Sequence, residues 1–370
     1  MQLIYLAPLA WSSFAQRPHM FVRWFHEKYQ CSVLWINPYP TRFPELNDFK
    51  RISHTPDDVQ TQTPEWLRVI SPKSLPIEPI AGSHLINSVF WKSLFQEMQD
   101  FASLEKTILV VGKPSVFALM AIDQLPDCFS FYDAMDDYPQ FYRGLSRLAF
   151  ARREDRLVEK VTAMAVSSTR LQQKWLVKRS QVQLIGNGLM PDLFLPVEPN
   201  DISQDPLVFG YIGTVARWFD WDWLLVLADI FPDARVRIIG PVYTDLPENL
   251  PGNIELLPSC DHESAIKAMK HFSIGLIPFR KDQLTASVDP IKYYEYRAVG
   301  IPVIATAFGE MMQHQLLPGT FISHSQADIY TLVERVKTFK DSEQERLAFI
   351  QKNSWDSKFA PLEQLFSMRG

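Results

Sequence analysis

Two residues three positions apart, Lys292 and Glu295, have types and a spacing that could do chemistry. On a helix they would project from neighbouring positions on one face. The ammonium group can meet a diphosphate, and the carboxylate can accept hydrogen bonds from a pair of sugar hydroxyls. As an ordinary surface pair they would contribute little to stability. The elements around them decide between the two interpretations.

Those elements predict a helix that starts where anions bind. Two apolar segments, residues 273–279 and 301–305, have the pattern of buried strands. Between them Asp289 is placed to cap a helix, Pro290 suits its first position, and Gly300 can end it in the left-handed conformation. The helix therefore begins at the carboxyl end of a strand, where its free N–H groups and dipole favour phosphate.

The segment PIKYYEYRAVGIPVIAT resembles the donor-binding signature of GT-B glycosyltransferases, in which a helix of pattern P-x-K-x-x-E-Y-x-A-x-G-x-P-V-x-A-T binds a nucleoside diphosphate sugar. The matching positions are Pro290, Lys292, Glu295, Tyr296, Ala298, Gly300, Pro302, Val303, Ala305 and Thr306. Ser287 stands where many retaining members have an earlier glutamate, so retention or inversion of the anomeric configuration stays open. The pattern is similar to that of bacterial exopolysaccharide and cell-wall polysaccharide transferases, including glucuronosyltransferase-like members.

A second glycine turn is expected to face the same anion. A predicted strand at residues 207–212 ends at Gly213 and Thr214, and glycine lets a backbone approach a ligand closely. The resemblance implies that this turn touches the diphosphate, with Arg217 and Arg280 as further donors. The alternative is an ordinary turn and two surface arginines. The residues that the resemblance assigns to the donor are Gly213, Thr214, Arg217, Arg280, Asp289, Pro290, Ile291, Lys292 and Glu295.

Three carboxylates follow a predicted strand at residues 129–132, in the segment YDAMDDY. Asp133, Asp136 and Asp137 would repel one another, which raises the proton affinity of at least one of them. Such a group could activate an acceptor hydroxyl as a general base. Alternatively, Asp133 satisfies loop amides while Asp136 and Asp137 cap the next helix. The segment resembles the corresponding part of the polysaccharide transferases, and Asp136 is the first choice of base if the enzyme inverts.

A histidine near the start of the chain is a further candidate. The segment WSSFAQRPH resembles a W-x-x-x-x-Q-R-P-H element of the same transferases, which faces the acceptor side. His19 is therefore a candidate base or acceptor contact. The alternative is a histidine in the first turn of a helix whose ring is satisfied by water or backbone.

No metal or other cofactor is expected, only the sugar nucleotide as co-substrate. Asp220 and Asp222 form a D-x-D pair, the metal-binding motif of a different transferase fold. Here the pair starts an amphipathic helix, so capping is the better interpretation. Cys31, Cys128 and Cys260 are few and scattered, which indicates neither a zinc site nor a disulfide framework and suits a reducing cytoplasm.

The composition is that of a globular protein. With 370 residues, of which 46% are hydrophobic, the chain is long enough for two domains. No segment approaches the roughly 20 apolar residues that span a bilayer, and the first residues lack the basic region of a signal peptide. A net charge of -5 disfavours nucleic acid as the main partner.

Membrane contact is permitted by the charge distribution but not required by it. Up to Pro196 the chain has 21 basic and 19 acidic residues. A predicted helix at residues 141–161 carries several arginines, which form either a solvated face offset by acidic neighbours or a surface for an anionic membrane. The predicted location is cytoplasmic, with a peripheral position on the inner face of the cell membrane as an option.

The predicted fold is α/β, of the GT-B type: two Rossmann-like domains facing each other across a cleft. The predicted domains are residues 1–195 on the acceptor side, 206–350 for the nucleotide-sugar donor, and 351–370 as a helix that crosses back to the first domain. Residues 38–64 and the linker after residue 195 are predicted to be irregular. The remaining predicted strands are residues 3–7, 32–36, 67–70, 107–111, 162–166, 182–185, 236–239, 254–257 and 321–323.

The predicted reaction is glycosyl transfer from a nucleoside diphosphate sugar, UDP- or GDP-linked, to a hydroxyl of a polysaccharide or lipid-linked precursor. Two alternatives share the fold. A nucleotide-sugar epimerase would convert the donor without an acceptor, and a non-catalytic sugar-nucleotide binding partner would show no turnover.

Overall fold

The chain folds into two compact α/β units. The computed structural model describes residues 1–13, 15–41, 63–75, 78, 82–195 and 206–367. Unit 1 comprises residues 1–167, 171–185 and 359–370, and unit 2 comprises residues 168–170 and 186–358. Residues 42–62 of the predicted irregular segment 38–64, and residues 196–205 of the predicted linker, lie outside the described residues.

Unit 1 is built on a parallel sheet with strand order β3-β2-β1-β4-β5-β6-β7. Its strands are β1 (Gln2–Leu6), β2 (Val33–Ile36), β3 (Leu67–Ile70), β4 (Thr107–Val111), β5 (Phe129–Ala134), β6 (Ala163–Val166) and β7 (Gln183–Leu184). Their short apolar sequences are those of strands covered on both faces. The order reverses between β1 and β4, and such a switch point is where open α/β sheets bind ligands.

Helices cover both faces of this sheet. The described helices up to the end of β7 are α1 (Arg17–Tyr29), α2 (Ser83–Leu104), α3 (Val116–Gln124), α4 (Gly144–Lys160) and α5 (Thr169–Leu176), with a 3-10 turn at Tyr138–Phe141. Trp91, Phe117, Leu157 and Trp175 pack from α2 to α5 into one apolar core.

The end of the chain completes the other face of unit 1. The last helix, α12 (Trp355–Ser367), belongs to unit 1 from Phe359 onward. The Phe359 ring lies 5.2 Å from the Phe21 ring, and the Phe366 ring lies 5.5 Å from that of Phe131. The predicted return of the last helix to the first domain is confirmed.

Unit 2 is a second parallel sheet, with strand order β10-β9-β8-β11-β12-β13. Its strands are β8 (Val208–Ile212), β9 (Arg235–Ile239), β10 (Ile254–Leu257), β11 (Ile274–Ile277), β12 (Val303–Thr306) and β13 (Thr320–Ser323). Its helices are α6 (Trp221–Ile230), α7 (His262–Met269), α8 (Ile291–Val299), α9 (Met311–His314), α10 (Ile329–Lys337) and α11 (Glu343–Lys352). The switch point of this sheet lies between β8 and β11, which places the Gly213 turn and the loop before α8 at one edge.

The predicted strands of both units are present with bounds that differ by at most two residues. Of the described helices, none is long and apolar enough to cross a bilayer.

Candidate functional site

The backbone at the ends of β8 and β9 forms the floor of the candidate site in unit 2. Gly213 has φ 139° and Gly240 has φ 142°, a region that side-chain-bearing residues rarely adopt. The Gly213 N–H donates to the Ile239 carbonyl at 2.9 Å. A Cβ on Gly240 would stand only 2.3 Å from the Gly213 carbonyl oxygen. The two turns therefore touch through bare backbone.

Lys292 places its ammonium group beside this floor. The Cβ position that a side chain on Gly213 would need lies 3.4 Å from Lys292 Nζ. The ammonium group lies 5.2 Å from the ring centroid of Tyr211 and 5.1 Å from that of Phe279. It forms no hydrogen bond or ion pair with the described residues, and burial lowers its pKa to about 8 although the Glu295 charge acts in the opposite direction. A partly buried cation that has no hydrogen-bond or ion-pair partner among the described residues favours an anionic ligand.

The start of α8 is open, and the predicted cap is wrong. Pro290 is the N-cap, and no side chain caps the helix. The Asp289 carboxylate instead accepts hydrogen bonds from the Asn187 N–H at 2.6 Å and the Tyr294 hydroxyl at 3.0 Å. Asp289 is buried, and a buried carboxylate is stable only when several donors replace the water it has lost. The first N–H groups of α8, those of Ile291 and Lys292, lack intrahelical carbonyls and remain for a ligand.

Glu295, one turn further along α8, is held by a histidine that the sequence analysis did not select. His262 Nε2 lies 2.7 Å from Glu295 Oε1. This bond is the largest cause of the raised pKa of His262, while desolvation acts in the opposite direction. His262 is the first residue of α7, whose N-cap Asp261 accepts from the Ser264 N–H at 2.8 Å. Nothing in the sequence around His262 marks it as a partner of Glu295, which lies 33 positions further along the chain.

The two candidate arginines, Arg280 and Arg217, have different surroundings. Arg280 donates from its backbone N–H to the Trp218 carbonyl at 2.7 Å and from Nε to the Phe219 carbonyl at 3.2 Å. It therefore holds the loop that follows Gly213. The side chain of Arg217 is exposed in that loop. At the start of the loop, the Thr214 carbonyl accepts a hydrogen bond from the Tyr211 hydroxyl at 2.8 Å. Donor binding by these residues stays a prediction.

Of the three carboxylates in the YDAMDDY segment, two are paired and one has no partner among the described residues. Asp133 is fully buried and forms a two-pronged ion pair with Arg17, whose Nη2 lies 2.8 Å from Oδ1. Asp137 accepts from the Lys174 ammonium group at 2.9 Å. The alternative prediction is wrong for both residues: the Asp133 side chain pairs with a guanidinium rather than with loop amides, and the Asp137 side chain does not cap the Tyr138–Phe141 turn.

Asp136 is the carboxylate of this segment that is available to act as a base. It is partly buried and forms no hydrogen bond or ion pair with the described residues. Burial is the largest cause that raises its pKa, to about 7; Asp137 and Asp133 add to the rise, and Arg17 opposes it. A carboxyl group with this pKa can accept a proton near neutral pH.

The structure does not support His19 as a base. Its Nδ1 accepts from the Gln16 N–H at 3.1 Å, and its Nε2 lies 3.1 Å from the Trp11 carbonyl. Burial lowers its pKa to about 4. Both ring nitrogens are thus used to fold the loop before α1, as the alternative predicted. In this QRPH segment the side chain that reaches the carboxylate cluster is instead Arg17, through its ion pair with Asp133.

The carboxylates of the D-x-D pair do not form a metal site. Asp220 caps α6 by accepting from the Trp223 N–H at 3.1 Å, so the capping interpretation is confirmed. Among the described residues, no group of three or more His, Cys, Asp or Glu side chains could hold a metal ion. Metal-independent activity stays a prediction.

Comparison with known proteins identifies relatives in sequence and in fold. No protein-family model matches the chain. A curated relative is 25% identical over 217 residues: the "Putative teichuronic acid biosynthesis glycosyltransferase TuaH" of Bacillus subtilis (strain 168). The alignment covers 53% of each protein, so the chain spans about half the length of this relative.

Solved structures match nearly the whole chain. Sucrose-phosphate synthase from Thermosynechococcus elongatus is 14% identical with a TM-score of 0.67, covering 99% of this chain and 98% of its own. Anabaena HepE, crystallised with UDP and glucose, is 14% identical with a TM-score of 0.67 and covers 99% of both chains. The lipopolysaccharide outer core galactosyltransferase WaaB is 11% identical with a TM-score of 0.65 and covers 100% of both. The fold is that of GT-B glycosyltransferases, as the sequence predicted.

Proposed function

We propose that this chain is a GT-B glycosyltransferase that moves a sugar from a nucleoside diphosphate sugar to a hydroxyl of a polysaccharide or lipid-linked precursor. The observation that carries the proposal is the unpaired Lys292 ammonium group, held against the Gly213 turn at an uncapped helix start. Its position at the switch point of the unit 2 sheet is where such sheets bind nucleotides. The similarity to TuaH, HepE and WaaB supports the same conclusion.

The donor site follows from the charges in unit 2. Lys292 and the first amides of α8 stabilise the negative charge that grows on the departing diphosphate. The partial charge of the helix dipole and the full charge of the ammonium group act on the same few oxygen atoms. Glu295, held by His262, accepts hydrogen bonds from the ribose hydroxyls.

Asp136 supplies the general base if the anomeric configuration is inverted. Its carboxylate removes the proton of the acceptor hydroxyl as the hydroxyl oxygen attacks the anomeric carbon and the bond to the diphosphate breaks. A pKa of about 7 matches this task, since a base works best when its pKa lies near the working pH. Ser287, in place of the earlier glutamate of many retaining members, is consistent with either stereochemical outcome.

The proposed donor is a UDP-sugar rather than a GDP-sugar, because the HepE structure holds UDP and glucose. The similarity to TuaH favours an acceptor from cell-wall polysaccharide synthesis. A lipid-linked acceptor presents its sugar at a bilayer surface, so a peripheral position on the inner face of the cell membrane is part of the proposal. No required metal is included, because the cationic groups of α8 can take its place.

Calorimetry with UDP, GDP and their sugar conjugates tests the donor site. The wild type should bind a uridine nucleotide, and both Lys292→Met and Glu295→Ala should weaken binding by about tenfold or more. Lys267→Met and Glu263→Ala are matched controls, because these exposed residues pair with each other on the surface of α7. Unchanged binding in both site variants would refute the assignment of the donor site.

Product analysis then separates glycosyl transfer from its alternatives. Release of UDP from a UDP-sugar in the presence of a saccharide acceptor supports transfer. Conversion of the donor sugar without any acceptor would indicate an epimerase, which no relative or structure named above supports. Binding without any turnover would indicate a sugar-nucleotide binding partner.

A further inference from the structure

The first turns of α2 expose a patch of large apolar side chains. Leu85 is 67% exposed and Val89 is 74% exposed, with Ile86 and Phe90 about half exposed beside them. The opposite side of the same turns is buried through Trp91. Soluble surfaces rarely expose four large apolar side chains together without a partner.

A second exposed apolar patch lies at the start of α4 and carries positive charge. Phe141, Leu145 and Leu148 are exposed, and the exposed Arg143 and Arg152 lie among them. The sequence contains no acidic residue from 138 to 153. The next acidic side chains on the helix, Glu154 and Asp155, pair with Lys174 and Lys178 rather than with these arginines.

The topology brings both patches to one edge of the unit 1 sheet. Helix α2 leads into β4 and helix α4 follows β5, and β4 and β5 are parallel neighbours. The starts of both helices must therefore lie at the carboxyl ends of the strands. Glu78, which precedes α2, accepts from the Val116 N–H at the start of α3 at 3.1 Å and pairs with Arg153 of α4 at 3.0 Å. Asp136 follows β5 at this same edge.

We propose that these two patches together form a docking surface for an anionic lipid bilayer. We call them the 85–90 ridge and the 141–152 ridge. Apolar side chains interleaved with arginines are the composition of surfaces that lie in the bilayer interface, where the apolar groups enter the acyl boundary and the guanidinium groups meet lipid phosphates. A second copy of the chain is a poorer occupant, because two arginine-bearing surfaces of the same sign would repel each other.

The docking surface indicates where a lipid-linked acceptor would reach the protein. A bilayer seated on the two ridges lies at the edge of the sheet that carries Asp136. A lipid-linked acceptor would therefore present its hydroxyl near the candidate base. Membrane binding itself does not depend on the sugar donor, so it can be tested separately from the proposed function.

Vesicle co-sedimentation tests the surface directly. We expect the wild type to bind vesicles of phosphatidylcholine mixed with phosphatidylglycerol, and to bind phosphatidylcholine alone much less. The double variant Leu85→Ser/Val89→Ser should bind about tenfold less, and Arg143→Gln/Arg152→Gln should lose about as much, along with most of the salt dependence. Leu316→Ser and Val177→Ser are matched controls, because these side chains are 90% and 85% exposed outside the two ridges.

The outcomes distinguish the occupants of the surface and the two proposals. Equal vesicle binding by all variants, or none by the wild type, overturns the docking surface. A dimer seen by light scattering that the Leu85→Ser/Val89→Ser variant abolishes would also overturn it, in favour of a second copy. Calorimetric binding of UDP should be the same in all these variants; vesicle binding without nucleotide binding would leave the docking surface intact and refute the proposed function.

Discussion

His262 Nε2 lies 2.7 Å from Glu295 Oε1, so the carboxylate proposed to hold the ribose is itself held by a neighbouring helix. The side chain of Glu295 is 14% exposed and that of His262 is 26% exposed, which keeps the bond partly shielded from water. His262 therefore acts as a positioning residue. It fixes one carboxylate oxygen, and the other forms no hydrogen bond with the described residues.

Replacing His262 should remove this support. The bond raises the pKa of His262 above its ordinary value of 6.5, so its contribution to stability is fully present below pH 6.5 and is lost as the pH rises through the folded-state pKa. In His262→Gln the free energy of unfolding should fall by about 1 kcal/mol at pH 6 and by less at pH 8. Urea denaturation at both values checks this; an equal loss at the two pH values would contradict a charged pair.

Lys292→Met should bind diphosphates poorly but fold more stably. Burial lowers the folded-state pKa of Lys292 to about 8, so the native state carries the cost of a desolvated charge below that pH. Removing the charge should raise the free energy of unfolding by about 1 to 3 kcal/mol at pH 7. Denaturant melts of Lys292→Met beside Lys267→Met measure the gain; a loss of stability would mean that the ammonium group is satisfied by its own protein.

The affinity of the wild type for UDP should depend on pH through the same group. As the pH rises through about 8, Lys292 loses its proton in the free protein and the diphosphate loses its cation. Calorimetry across pH 7 to 9 should therefore show weakening in the wild type and a flat response in Lys292→Met. If the wild-type affinity is constant over this range, Lys292 does not contact the diphosphate.

Asp136→Asn should leave donor binding unchanged and lower turnover by about 100-fold to 10,000-fold, the usual contribution of a general base. In the wild type the rate should fall as the pH drops below about 7, because the carboxyl group is then protonated. Asp155→Asn is the matched control, since its partly exposed carboxylate pairs with Lys178 on the surface. Similar rates in both variants would exclude Asp136 as the base.

Arg17→Met should be strongly destabilising. The variant leaves Asp133 as a buried carboxylate without its cation, which typically costs about 3 to 5 kcal/mol. The double variant Arg17→Met/Asp133→Asn should recover much of that loss, because no unpaired charge remains. Urea unfolding of the two single variants and the double variant measures the coupling, and strictly additive losses would contradict a direct ion pair.

Loss of the Arg17 charge should also raise the pKa of the candidate base, Asp136. The guanidinium charge lowers this pKa, against the larger effect of burial. In Arg17→Lys, which keeps the charge but alters its position, the acidic limb of the rate profile should stay nearer pH 7 than in Arg17→Met. The pH dependence of kcat in the two variants separates this electrostatic effect from a loss of folding.

Local patterns were sufficient for the strands and for the helix that carries Lys292. The apolar runs at 207–212 and 254–257 predicted β8 and β10, because strand pattern depends on neighbouring residues. Gly300 ends α8 in the left-handed conformation, with φ 90°, as its type predicts. The edges of elements were less certain: the N-cap of α8 is Pro290 rather than the predicted Asp289.

The partners of charged side chains could not be predicted from the sequence. Asp133 pairs with Arg17 across 116 positions, and Asp289 accepts from the Asn187 N–H across 102. Many carboxylates and cations in the chain are compatible with such pairs. Only burial, which removes water as the alternative partner, selects one of them.

The sequence by itself determined the two α/β units, the helix that carries Lys292 and Glu295, and the cluster of three carboxylates, because each depends on residue type and short-range spacing. Only the tertiary structure decided that Asp136 is the one of the three carboxylates with no partner among the described residues, that His19 is bound on both sides by backbone and that His262 holds Glu295. These roles are set by which groups are buried together, and burial is a property of the folded chain rather than of any local segment.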